Sequence, residues 1–159
     1  MTRIGQGVDA HRLVPGRPLV LGGVTIPHDR GLEGHSDGDA VTHALADAVL
    51  GAAGLGDLGA HFPSSDERLR GIDSIALLRE VGRMVRDRGF EVASAHVIAV
   101  AQQPRLASHT GAMAAELAAA LDVPAERIAV TSTSTDGLGF TGREEGIAAS
   151  AVVLLTPLS

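Results

Sequence analysis

The chain contains no cysteine, which excludes disulfides, thiolate metal sites and cysteine nucleophiles. Lysine is absent too. All 13 basic residues are arginine, so Schiff-base chemistry is excluded, and phosphate recognition falls to arginine, backbone N–H groups, hydroxyls or metal. The formal net charge of −6 argues against nucleic acid as a partner. No apolar run reaches transmembrane length, and the N-terminus has no signal-peptide hydrophobic stretch. A membrane is therefore not an expected partner, and the expected location is cytoplasmic. What is present is a 45% hydrophobic composition over 159 residues. That excludes disorder and suits one domain, residues 1–159, with a sizeable core.

Periodicity predicts an α/β fold, a single-domain mixed β-sheet packed against helices. Strands are expected over residues 2–13, 18–21 and 24–26, with a turn at Pro15-Gly16 and a Gly- and Asp-rich loop from His28 to Gly38. A helix should run over 37–53, with Val41, Ala44, Leu45, Ala48, Val49 and Ala52 at helical spacing and Gly54 as its stop. Residues 54–73 read as a loop punctuated by Gly54, Gly56, Gly59, Pro63 and Gly71, and a long loop in a compact domain is usually functional. Further helices are expected over 74–88 and 108–121, and strands over 91–101, 128–134 and 147–155.

The chemistry concentrates in two segments. Residues i and i+2 of a strand share a face, so Asp9 and His11 can converge on one point. His43, on the predicted helix behind the loop, completes a set of three. Three N/O ligands with a fourth position open describe a catalytic zinc site, one ion per subunit, and not a structural one. Asp39, His43 and Asp47 stand at i, i+4, i+8 on one helix face. Asp37 and Asp39 also read as acid at a helix N-terminus, whereas Asp47, mid-helix, reads as a carboxylate orienting His43. His28, His61, His96 and His109 read as structural. In the second segment, Thr131 to Asp136, five hydroxyls precede a carboxylate. Hydroxyls and loop N–H groups suit phosphate oxygens, and Asp136 suits Mg²⁺. An exposed strand edge followed by a turn accounts for the same residues.

Four motifs in order, Gly5-Gln6-Gly7-Val8-Asp9-Ala10-His11, His35-Ser36-Asp37-Gly38-Asp39, Gly56-Asp57-Leu58-Gly59 with Phe62-Pro63, and Leu138-Gly139-Phe140-Thr141-Gly142-Arg143-Glu144-Glu145-Gly146, resemble the 2-C-methyl-D-erythritol 2,4-cyclodiphosphate synthase family nearly end to end. The resemblance implies a lyase of the non-mevalonate isoprenoid pathway. It would cyclise 4-diphosphocytidyl-2-C-methyl-D-erythritol 2-phosphate with release of CMP, using Zn²⁺ on Asp9, His11 and His43 and Mg²⁺ or Mn²⁺ on Asp136. His35 and Ser134 would steady the phosphates. The nucleotide would lie against Ala101, Gln102, Gln103, Pro104, Arg105, Leu106 and Ala107, with Ser132, Thr133 and Thr135. Asp57, Leu58 and Gly59 would hold the ribose, and Ser36, Phe62, Pro63, Ser64, Ser65 and Asp66 the rest of the substrate. The family is a homotrimer with active sites between subunits. Phe140 and Arg143 would lie near its axis, around an isoprenoid diphosphate.

The chain departs from the family pattern at a few positions. Ser134 and Asp136 stand where Thr and Glu are usual, Ser64 where Asp is, Arg105 where Lys is, and Glu144 where Gly is. A zinc phosphohydrolase, releasing a linear product, and a non-catalytic sensor of isoprenoid diphosphates are the alternative readings.

Overall fold

The computed structural model describes residues 1–159. Burial alternates along β1 (Arg3–Pro15), sending Gly5, Gly7, Asp9, His11 and Leu13 inward and Ile4, Gln6, Val8 and Ala10 outward, the two-residue period of a strand. β2 (Leu19–Leu21) and β3 (Val24–Ile26) form a small hairpin of their own. β4 (Arg30–Leu32), β5 (Phe90–Val100), β6 (Ile128–Thr133) and β7 (Gly146–Pro157) join β1 in a five-stranded sheet of order β4-β1-β7-β5-β6. All neighbours are antiparallel except β5 and β6. Helix α1 (Ala40–Ala53) lies on β1, β7 and β5. After the short α2 (Leu58–His61) come α3 (Ser74–Asp87), packed on α1, and α4 (Thr110–Leu121), packed on α3 and β6; a one-turn α5 (Gly139–Gly142) precedes β7. No helix is long and apolar enough to cross a membrane.

Three loop expectations need correction. β4 falls inside the segment read as a Gly- and Asp-rich loop; its three residues, one a glycine, are too few to carry a period, and pairing of Leu32 with Leu13 creates it. The 54–73 segment holds α2 and a 3₁₀ turn at Glu67–Leu69, each begun by an aspartate cap. α1 starts at Ala40 and not at 37, because Asp39 is its N-cap and accepts from Thr42 N. Gly54 does end it, in the left-handed conformation at φ 70°.

The crossing of α1 over β1 positions the site. A Cβ on Gly7 would stand 2.0 Å from the Ala44 carbonyl oxygen, and one on Gly5 2.0 Å from that of Ala48. Helix backbone thus touches strand backbone, which only glycine permits. Because the obstacle is main chain, Gly7→Ala is expected to destabilise the fold by about 3 kcal/mol, the upper end for overpacking. Chemical unfolding checks this: a loss under about 0.5 kcal/mol, the scale of an ordinary surface change, would mean α1 can retreat freely.

The opposite sheet face carries no helix. Ile4 and Val8 are 73% and 67% exposed, with Val152 and Leu154 also open. Ile4 pairs with Leu154 in register, whereas Gln6 stands opposite Val152 and Ser150 opposite Val8, so the exposed apolar side chains share this face with polar ones.

Candidate functional site

Asp9 and His11 point from β1 toward the first turn of α1, where His43 sits. One donor atom of each lies within 4.8 Å of the others. His11 Nε2 is 2.7 Å from Asp9 Oδ2 and 3.2 Å from His43 Nδ1, and His43 Nδ1 is 3.1 Å from Asp9 Oδ2. His11 Nδ1–H donates to the Glu33 carbonyl at 2.7 Å, which turns Nε2 into the cluster. Burial opposes the charged Asp9 carboxylate, but hydrogen bonds and charge from His11 and His43 outweigh it and lower its pKa to about 2. Burial also opposes charge on His11, yet Asp9 and the Glu33 carbonyl raise it above the ordinary histidine value. A carboxylate and two imidazoles in this arrangement are a donor set that could hold a metal ion.

The cluster forms one wall of a hollow of about 180 Å³ lined by His11, His35, Ser36, His43, Leu58, Phe62 and Ser64, with Leu69, Ile72 and Leu77 behind. His35 Nε2–H donates to the Asp66 carbonyl at 2.8 Å, fixing the ring. Arg17 holds the same loop by donating to the carbonyls of Gly34 and Ser36 at 3.0 and 2.7 Å. Of the other residues expected here, Pro63 and Ser65 are exposed beside the hollow, and Asp57 caps α2 through Ala60 N. Gly59 lies within α2, and the Asp66 carboxylate pairs with Arg68.

The role read for Asp47 is not what its contacts give. Its Oδ1 accepts from Leu58 N at 2.7 Å, tying α2 to α1, while burial and then the charges of Asp57 and Asp9 push its carboxyl up. His43 Nε2 instead meets Ser74 Oγ at 2.8 Å and Ser36 Oγ at 3.2 Å. Asp39 is not on a polar face with His43. It is fully buried and accepts from Gly22 N, Gly23 N, Thr42 N and Thr42 Oγ1, pinning the β2–β3 turn to the start of α1. Sequence reasoning missed Arg17 and Ser74. Ser74, directly after a helix-capping Asp73, had no local signal beyond its place at the start of α3.

A second hollow, about 370 Å³, lies past the ends of β5 and β6. It is lined by Ala101, Gln102, Gln103, Arg105, Leu106 and Ala107 on one side and Ser132, Thr133, Ser134 and Asp136 on the other. Pro104 follows a cis peptide in the first wall, and Gly137 N donates to Gln102 Oε1 at 3.0 Å, joining the two. Ser134 Oγ donates to Asp136 Oδ1 at 3.2 Å, so hydroxyl and carboxylate act at one spot. Thr135 turns away, its hydroxyl bound to the Leu138 carbonyl and to Thr141. This hollow shares no lining residue with the metal-side one. Phe140 lines a third, about 230 Å³, with Ala10, His11, Arg12, Glu145 and Gly146, and Arg143 pairs with Glu145 beside it.

The family model described as the YgbB family matches residues 2–156. A 2-C-methyl-D-erythritol 2,4-cyclodiphosphate synthase of Moorella thermoacetica is 61% identical over 153 residues, 96% of this chain and 94% of that one. Among solved structures, the bifunctional IspDF of Campylobacter jejuni superposes over all of this chain and 43% of its own longer one, with TM-score 0.96 and 41% identity. A 2-C-methyl-D-erythritol 2,4-cyclodiphosphate synthase in its CDP-bound form superposes over 97% of this chain and 100% of that one, with TM-score 0.87 and 44% identity.

Proposed function

The chain belongs to the YgbB family, that of the 2-C-methyl-D-erythritol 2,4-cyclodiphosphate synthases of non-mevalonate isoprenoid biosynthesis, and on that premise we infer its reaction and the part each residue plays. The substrate is 4-diphosphocytidyl-2-C-methyl-D-erythritol 2-phosphate. An oxygen of its 2-phosphate bonds to the β-phosphorus, the bond from that phosphorus to the bridging oxygen breaks, and CMP departs with the electron pair, making the enzyme a phosphorus–oxygen lyase. The attacking phosphate is already ionised, so no general base is needed. Catalysis rests on alignment and on neutralising crowded negative charge.

The observation that carries this reading is the Asp9–His11–His43 cluster on the wall of the His35–Phe62 hollow. The three donor atoms stand 2.7 to 3.2 Å from one another, and a carboxylate and two imidazoles are the ligand types that would hold zinc. Zinc held there would supply Lewis-acid polarisation of a phosphate oxygen. His35 and Ser36 would face the attacking phosphate. Phe62 and Leu58 would exclude water from the erythritol side. In the second hollow, Asp136 would hold the Mg²⁺ or Mn²⁺ that accompanies the diphosphate, with the Ser134 hydroxyl donating to a transferring oxygen. Buried Ala101 and Leu106 would floor the cytosine, and Arg105 would bring charge to the rim.

The working form would be a homotrimer. Two half-sites without a common lining residue, and an uncovered, partly apolar sheet face, both suit a site completed by a neighbouring subunit. Phe140 and Arg143 would then approach the axis, around an isoprenoid diphosphate. Phosphorus NMR of a reaction with the substrate tests the chemistry. One CMP should appear per cyclic diphosphate, and a chelator should abolish both. A linear bisphosphate would make the chain a phosphohydrolase instead.

A further inference from the structure

We propose that Ser74 and Asp37 are positioning residues that fix the tautomer of His43, so that Nδ1 is the atom it offers to the metal; this rests on the reading of the triad as a metal site. Ser74 opens α3 and is fully buried. Asp37 lies in the loop before α1, so the two come from segments 37 residues apart in sequence. Asp37 Oδ2 accepts from Ser74 N at 3.0 Å, and its Oδ1 accepts from the Ser74 hydroxyl.

A serine hydroxyl has a single proton. With that proton given to the carboxylate, the oxygen can only accept at its remaining contacts, His43 Nε2 at 2.8 Å and Ser36 Oγ at 3.4 Å. Nε2 then carries a ring proton, and Nδ1 is left facing His11 Nε2 at 3.2 Å, whose N–H it can accept, beside Asp9 Oδ2 at 3.1 Å. Ser36 Oγ, the other neighbour of Nε2, is farther at 3.2 Å; it accepts from Gly38 N, and its own proton has Ser74 Oγ at 3.4 Å as an acceptor. The carboxylate–hydroxyl–imidazole chain therefore orients the ring and raises its basicity as a ligand. His11 gives its Nδ1–H to the Glu33 carbonyl, so Nε2 is the nitrogen it turns toward the cluster. Two imidazoles thus present different nitrogens to one point, each fixed by a partner outside the cluster.

The test uses metal-free full-length protein with ¹⁵N-labelled histidine at mildly alkaline pH, followed by competitive titration with Zn²⁺. In the parent, His43 should show a protonated Nε2 and an unprotonated Nδ1. Ser74→Ala should give a mixture of tautomers and weaken Zn²⁺ binding about 10- to 100-fold, the usual effect of losing such an outer partner. Asp37→Asn should act in the same direction, since it leaves the hydroxyl without its charged acceptor. A parent with the proton on Nδ1, or a Ser74→Ala protein with unchanged tautomer and Zn²⁺ affinity, overturns the proposal. The tautomer is read without metal. A parent that binds no Zn²⁺ therefore refutes the metal reading itself, and the two failures are told apart.

Discussion

His43→Ala is expected to remove zinc and turnover together. Metal content should fall from one ion per chain to under about a tenth, because Asp9 and His11 alone leave two of the three ligands a catalytic zinc needs. CMP release should fall about a thousandfold, some 4 kcal/mol of transition-state stabilisation. The fold should survive. His43 is at the open end of α1, and its outer partner Ser74 keeps its bond to Asp37. Asp9 would lose one of the two imidazoles that hold its carboxylate ionised, so the remaining pair would bind metal still more weakly. Elemental analysis with circular dichroism decides the matter. A folded variant with full zinc would remove His43 from the ligand set.

Mixing two dead variants should restore activity. His43→Ala lacks the metal-side half-site and Asp136→Ala the other; each alone should be nearly inactive. Unfolded together in equal amounts and refolded, they form trimers in which each interface draws one half from each neighbour. At random, about a quarter of interfaces pair two intact halves, so activity should recover to roughly that fraction of the parent. The expectation follows from the separation of the two hollows, one on β1 and α1, the other past β5 and β6. Mixed trimers, verified by differential tagging, that stay as inactive as either parent would place the whole site within one subunit.

Most of the fold could be read from periodicity, because its long elements each bury a single face. α1 and α3 announce themselves by apolar spacing and capping residues, and β1 by alternation. What escaped was structure made by tertiary pairing. β4 exists only because Leu13 needs a neighbour, and α2 only because Asp57 and Asp47 satisfy its backbone. The Asp9–His11–His43 cluster was legible because strand geometry alone brings Asp9 to His11. Its support was not. Asp47 has the spacing of an orienting carboxylate, but its side chain is taken by Leu58 N. Ser74 meets His43 directly and Asp37 reaches it only through Ser74, from separate segments that no sequence period connects.

Because α1 is locked over Gly5 and Gly7 by backbone contact, within a core of 37 buried residues, strand and helix find each other without an ion. A zinc finger is unfolded until its metal arrives. Here Asp9, His11 and His43 are brought together by packing, and an ion bound there would add to the stability of that scaffold. An ion bound there could then be lost and replaced without refolding, so that supply of the ion, and not synthesis of the chain, would set how much enzyme works.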